Sequence, residues 1–183
     1  MRSSILFLLL LAFSLTACQQ ESESISPVEN EELSFRSATR PFKGTVLETL
    51  SDVIDPDCEC EDDDLVVGSS GEGNLTHMGK VTSEATICIE SFILDENGQP
   101  IGSIENGVCI KLTAANGDEL IADGGPHSLL FDPDCLCVTG TFEVVFNGGT
   151  GRFEDATGSA NLTISFDPAT GIYTEEYDGE ISY

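Results

Sequence analysis

Four cysteines of this chain form a local repeat, Asp55-Pro56-Asp57-Cys58-Glu59-Cys60 and Asp132-Pro133-Asp134-Cys135-Leu136-Cys137. Residues two apart project to the same side of an extended chain. Each Cys-x-Cys therefore presents two thiols together, and a bridge within one pair is strained. Two such pairs facing each other make two parallel bridges, which would tie the loop after the first strand to the loop before the Phe142 strand. The rival is a four-thiolate zinc site, against which the single intervening residue counts, because structural zinc sites favour wider spacing. Two further cysteines, Cys88 and Cys109, each sit on the polar-facing phase of a strand. A hairpin folded about Gly98-Gln99 sets them directly opposite, within disulfide range, so a Cys88–Cys109 bridge is expected. Asn106-Gly107 is a second turn signal that would shift this register.

The densest acidic cluster surrounds the first cysteine pair: Asp55, Asp57, Glu59, Glu61, Asp62, Asp63 and Asp64. Hard cations such as Ca²⁺ want several carboxylate oxygens together, which makes the cluster a weak calcium candidate and the only cofactor suggestion. It lacks the glycine of an EF-hand loop, and a solvated acidic loop is the better reading. His77 and His127 are the only imidazoles, and no spacing ties either to a nucleophile. Gly68-Ser69-Ser70-Gly71 has the wrong glycine spacing for a nucleophile elbow. No catalytic residue is assigned. His77 alternates in phase with Leu75 and is expected to point inward, lining a cavity with Phe142, Phe146 and Phe153. Glu48, between Leu47 and Thr49, is a candidate interior carboxylate.

The elements that must position these groups are strands. Ala85, Ile87 and Ile89; Val108, Ile110 and Leu112; Phe142, Val144 and Phe146; and Ala160, Leu162, Ile164 and Phe166 all alternate with polar residues. That period-2 pattern marks half-buried strands. Glu96-Asn97-Gly98, Asn116-Gly117-Asp118, Asn147-Gly148-Gly149, Asp167-Pro168 and Asp178-Gly179 punctuate them as turns. Further strands are expected near 45–50, 74–81, 119–122 and 172–182. Roughly eight short antiparallel strands make a β-barrel or a β-sandwich, and the barrel is preferred because closure leaves no open edges.

Gly148-Gly149-Thr150-Gly151-Arg152-Phe153 resembles the Gly-Gly-Thr-Gly-x-Phe segment of dirigent proteins and allene oxide cyclase barrels. Gly71 to Lys80, with Ala114-Ala115-Asn116-Gly117-Asp118, resembles uncharacterised bacterial secreted proteins of the same barrel type. The resemblance implies an eight-stranded antiparallel barrel with an apolar interior able to hold a small ligand. It transfers no catalytic residue. The glycines also have a local reason, since they permit a tight positive-φ turn before Arg152 and a bend at Gly158.

The N-terminus carries Arg2, then an apolar run from Ile5 to Leu11 that continues through Leu15. It is too short to span a membrane and reads as a signal peptide over residues 1–17. Leu15-Thr16-Ala17-Cys18 resembles the lipobox of bacterial lipoproteins, which implies lipidation of Cys18 with acyl chains such as palmitate, and membrane anchoring. Gln19 stands where Asp would retain such a lipoprotein at the inner membrane. The expected location is therefore the outer membrane, facing the periplasm or the cell surface. Residues 18–40 are rich in Ser and Glu and read as a flexible tether, with Leu33 and Phe35 the residues nearest to touching the domain at 41–183. Loss of the signal removes Arg2 and no acid, taking the formal charge from −26 to −27. Such a charge argues against nucleic acid and against lying on an anionic bilayer face.

Without Cys18 the cysteine count is even, so three disulfides are expected outside the cytoplasm. Three functions remain open: a non-enzymatic module binding an apolar small molecule or an envelope protein, an isomerase or cyclase working in the barrel cavity, and a structural lipoprotein with a packed lumen. Cavity volume separates the first two from the third, and an inward His or carboxylate separates the enzyme from the carrier.

Overall fold

The computed structural model describes residues 38–183, so the signal segment, Cys18, Leu33 and Phe35 lie outside the described residues. Nine strand segments run in order: β1 Arg40–Ser51, β2 Leu65–Leu75, β3 Gly79–Leu94, β4 Pro100–Ala114, β5 Glu119–Gly124, β6 His127–Asp132, β7 Cys137–Gly149, β8 Thr157–Asp167 and β9 Ile172–Ser182. All pair antiparallel, and pairing of β3 with β4 closes the ring. β5 and β6 share one place between β4 and β7. Gly124 opposes Val108 and His127 opposes Glu105, a single register along β4 from which Gly125 and Pro126 are missing. Proline has no N–H to give a ladder, and the break falls there. Nine segments thus make eight staves, the expected barrel rather than the sandwich.

Inward residues recur every second position, as the pleat requires. Phe42, Val46 and Glu48 on β1, Val144 and Phe146 on β7, Ala160 and Leu162 on β8, and Glu175, Tyr177 and Ile181 on β9 are all buried. One end is closed. There the turns after β2 and β4 meet a 3₁₀ turn at Gly151–Phe153, and Phe153, Met78, Leu75, Phe42 and Phe146 pack as the plug. Gly151 has φ +59, and a Cβ on it would lie 2.1 Å from Asp118 Oδ1. The Gly-Gly-Thr-Gly segment therefore builds the plug. The chain enters β1 at this closed end, because Arg40 pairs with Ile181 near the end of β9.

Two expected elements differ. Residues 74–81 hold the turn between β2 and β3, where His77 (φ 67) and Gly79 (φ 71) are left-handed. The strand lies upstream, in the Gly/Ser-rich run Gly68-Ser69-Ser70-Gly71, whose alternation is nearly devoid of apolar residues. Glycine there lets β1 approach closely, since a Cβ on Gly71 would sit 1.9 Å from the Leu47 carbonyl oxygen. The hairpin between β3 and β4 also turns earlier than expected. Asp95 Oδ1 accepts the N–H groups of Asn97 and Gln99, both at 2.8 Å, and Gly98 adopts φ 76. Cys88 consequently opposes Gly107, and Cys109 opposes Thr86.

The expected Cys88–Cys109 bridge is therefore corrected, because the two residues stand two rungs apart. Both face outward, and the loop 52–64 folds over them as a strap: Cys58 bridges Cys109 and Cys60 bridges Cys88. The Asp55 N–H donates to Thr86 Oγ1 at 2.7 Å, and Asn106 Nδ2 donates to Asp64 Oδ1 at 2.9 Å. The two Cys-x-Cys pairs do not face each other. Cys135 bridges Cys137 directly, with Cα atoms 5.2 Å apart against about 7 Å for such a pair in an extended chain. The contraction comes from Leu136, which takes the left-handed region at φ 55. For a side-chain-bearing residue this costs about 1–2 kcal/mol. The strain expected of an internal bridge is present as backbone strain.

Cys58–Cys109 closes a span of 51 residues. Replacing both (Cys58→Ser with Cys109→Ser) should lower stability by about 4 kcal/mol. Urea midpoints at constant far-UV circular dichroism would show it, and an unchanged midpoint would mean the strap does not secure the barrel.

Candidate functional site at the open end of the barrel

The opposite end is open, and its chemistry arises from a slip in the β3–β4 ladder. Leu112, Ile110 and Val108 face inward on β4, so strict alternation would put Asn106 and Ile104 inside. Instead Cys88 opposes Gly107 while Ile89 opposes Glu105, leaving Asn106 unpaired; one rung on, Ser91 opposes Ile104 and Glu90 is unpaired. A bulge inserts one residue and flips the facing of the residues beyond it. Glu105 (4% exposed) and Ser103 (8%) therefore turn inward, and Ile104 turns out at 36% exposure.

Glu105 is held from two sides. Ser103 Oγ donates to its Oε1 at 2.9 Å, and His127 Nε2 lies 3.0 Å from its Oε2. His127 comes from β6 and stacks on Phe142, with ring centroids 3.4 Å apart. Its Nδ1–H donates to the Gly125 carbonyl at 2.9 Å, so Nε2 is the nitrogen left for the carboxyl. The contact is off-line for an N–H···O bond.

A second polar layer lies deeper. The Glu48 carboxylate reaches over Gly71, accepts a hydrogen bond from Ser69 on Oε2, and approaches Ser83. Glu48 Oε1 and Ser83 Oγ remain without partners, close enough to influence one another but not aligned as a hydrogen bond. Burial raises the Glu48 pKa, which the two serines partly offset. On β9, Tyr177 donates to Glu175 Oε2 at 2.8 Å. Burial, and then the neighbouring Glu48 charge, push the Glu175 carboxyl up to about 8. Tyr173 opposes Glu48 across the β1–β9 ladder; burial and the charges of Glu105 and Glu48 push its phenol up to about 12. Tyr173 thus connects the two layers.

Above them opens a cavity of about 260 Å³, with Phe92, Leu129, Val138 and Phe166 as apolar walls and Ser103, Glu105 and Tyr173 as polar contacts. No lysine or arginine is among its lining residues. Its volume falls just below the usual range for small-molecule sites, about 300–1,000 Å³. An occupant is therefore small, or protrudes from the mouth.

The residues expected to line a cavity are distributed differently. Phe146 packs on Phe42 at 4.8 Å and Phe153 on Tyr183 at 5.0 Å, both in the closed half. His77 stands in the turn after β2 at the same closed end and donates to the Pro41 carbonyl at 3.0 Å, so it does not reach the mouth. Phe142 alone touches the site, through His127. Glu48 is interior as expected, but Glu105 and Glu175 join it. The β9 alternation Tyr173, Glu175, Tyr177 was the signal for that layer, whereas Glu105 was hidden by the bulge. Among the described residues, no three of Asp55, Asp57, Glu59, Glu61, Asp62, Asp63 and Asp64 converge at metal-ligating distance. The one such grouping is Cys58, Cys60 and Cys88, whose sulfurs are in disulfides. Asp55 and Asp64 instead accept hydrogen bonds within the strap, from the N–H groups of Asp57 and Glu61.

No family model matches the chain, and no curated protein matches it. Two solved structures align over most of its length. The pterocarpan synthase dirigent protein PsPTS1 is 15% identical, with a TM-score of 0.41, covering 81% of this chain and 97% of its own. The pterocarpan synthase dirigent protein GePTS1 is 13% identical, with a TM-score of 0.39, covering 82% and 88%. Likeness at this level says nothing about ligand or reaction.

Glu175 has a pH signature. Its folded pKa, about 8, lies above the ordinary value of 4.5, so the fold holds a proton that the unfolded chain releases. The associated stability is complete below about pH 4.5 and is lost as pH rises through about 8. Thermal melts should show the wild type losing stability between pH 5 and 9 more steeply than Glu175→Gln. Parallel curves would mean that Glu175 is ionised in the fold.

Proposed function

We propose that this chain is a lipid-anchored extracytoplasmic barrel that binds a small, mainly apolar molecule at its open end. The observation that carries the reading is the cavity with apolar walls whose polar contacts are Ser103, Glu105 and Tyr173. A pocket of mostly apolar lining with a few convergent polar groups is the usual form of a small-molecule site. Those groups are acidic or neutral, and burial, reinforced by the Glu105 and Glu48 charges, disfavours a further negative charge on Tyr173. An anionic ligand is therefore disfavoured, and a neutral or hydrogen-bond-donating one fits.

A second reading, an isomerase or cyclase moving a proton on its ligand, is favoured by one observation. Glu105, which lines the same cavity, has His127 Nε2 3.0 Å from its Oε2, so a carboxyl and an imidazole stand together at its wall. Binding comes first in either case.

The neutral dye N-phenyl-1-naphthylamine should bind with one-to-one saturation, and its anionic analogue 1-anilinonaphthalene-8-sulfonate at least tenfold more weakly. Ser103→Trp, which fills the mouth, should weaken binding of the neutral dye at least tenfold while the barrel stays folded by circular dichroism. Unsaturable binding, or binding unchanged in a folded Ser103→Trp variant, would overturn the cavity reading. The anchor is tested separately: Cys18→Ala should move the protein from the membrane fraction to the soluble one and abolish palmitate labelling. Retention of both would exclude Cys18 as the lipid site.

A further inference from the structure

We propose that the Cys135–Cys137 bridge is a thiol–disulfide exchange site that oxidises neutral or cationic dithiols. The three bridges of the barrel differ in kind. Cys58–Cys109 and Cys60–Cys88 span 51 and 28 residues and hold the strap against β3 and β4, whereas Cys135–Cys137 spans two. A bridge that short removes little freedom from the unfolded chain. Nor does the turn need it. Asp132 already opposes Cys137 in the β6–β7 ladder, and the Asp134 N–H already donates to Asp132 Oδ1 at 2.8 Å.

The bridge instead imposes a strain. Leu136 carries a side chain in the left-handed region at φ 55, and that side chain is 67% exposed. Opening the bridge frees Leu136 to leave that conformation, which favours the reduced form, and strained or exposed bridges are the readily exchanged ones. The two sulfurs are also inequivalent. Cys135 is exposed, while Cys137 is 4% exposed, so an incoming thiolate meets Cys135. Asp132 and Asp134 flank the bridge on a strongly acidic protein, which repels anionic thiols and admits neutral or cationic ones.

The reaction balances without a further reagent. A thiolate of the incoming dithiol attacks Cys135 Sγ, the Cys135–Cys137 bond breaks, and the Cys137 thiolate leaves and takes up a proton. The second thiol of the partner, deprotonated, attacks its own mixed-disulfide sulfur and expels the Cys135 thiolate, which is protonated in turn. The partner loses two electrons and two protons and becomes a disulfide; the protein gains both.

The full chain would be titrated with dithiothreitol at fixed oxidised-to-reduced ratios, acid-quenched, alkylated and mapped by peptide mass spectrometry. Cys135–Cys137 should open at a reduced-to-oxidised ratio at least tenfold lower than either strap bridge, with the melting temperature nearly unchanged. Leu136→Gly, which adopts left-handed backbone freely, should make that bridge alone harder to reduce by about tenfold. Cysteamine should form a mixed disulfide at Cys135 faster than 3-mercaptopropionate does. The proposal is overturned if the three bridges open together, if Cys135–Cys137 opens last, if Leu136→Gly leaves its midpoint unchanged, or if the adduct maps to Cys137.

Discussion

The β3–β4 ladder closes the ring, and halfway along it each strand gives up one residue: Asn106 on β4, then Glu90 on β3. The two omissions cancel, so the register above and below is the same. Between and beyond them, however, the faces of the strands are exchanged. What would be outside comes in, and Glu105, Ser103 and Phe92 reach the lumen, while Ile104 is turned to solvent. Without this paired slip Asn106 and Ile104 would face the lumen in place of Glu105 and Ser103, and His127 would face no carboxyl. The neighbouring stave is adapted to the same place, since β5 and β6 break at Gly125 and Pro126 beside His127 and offer it a carbonyl.

The lumen is consequently divided along its axis. The closed half is packed with aromatic and aliphatic side chains, as a core that anchors the barrel must be. The open half buries three carboxyl groups, which is costly unless each is partnered or protonated. Glu105 is partnered by serine and histidine, and Glu175 keeps a proton and a tyrosine hydroxyl. Glu48 is served on one oxygen only. A chain selected for stability alone would place leucine at such positions, so the open half is where structural economy yields to a polar interior.

Much of this architecture was legible. Alternation on β4, β7 and β8 marks staves directly, and acidic turns at Asp95 and Asp167 mark their ends. β2 escaped because its inward positions include serine and glycine, chosen to let β1 approach rather than to fill the core. The turn at Asp95 to Gly98 was visible as Asn97-Gly98, but its placement depended on which N–H groups the Asp95 carboxylate would accept. An offset of two rungs left the facing of Cys88 and Cys109 correct and their pairing wrong. Asn106-Gly107 was legible as an irregularity, but its outcome was not, because only the pairing of both strands reveals whether a turn or a bulge results. The Leu136 conformation has no sequence signal, since leucine is not a residue that seeks the left-handed region.

The strap carries a consequence for biosynthesis. Its bridges are nested: Cys58–Cys109 encloses Cys60–Cys88, so neither is the bridge that pairing the cysteines two by two in order of appearance would give. A polypeptide emerging N-terminus first into an oxidising compartment exposes Cys58 and Cys60 together, long before Cys109 arrives. Sequential oxidation would join Cys58 to Cys60 and Cys88 to Cys109, trapping the strap away from the hairpin it must cover. Reaching the native arrangement then demands either delayed oxidation until β4 has emerged or reshuffling by an isomerase, on a timescale of seconds to hours. In an oxidising compartment, closing the strap over β3 and β4 would therefore depend on the order in which its sulfurs meet as well as on the pairing of those strands.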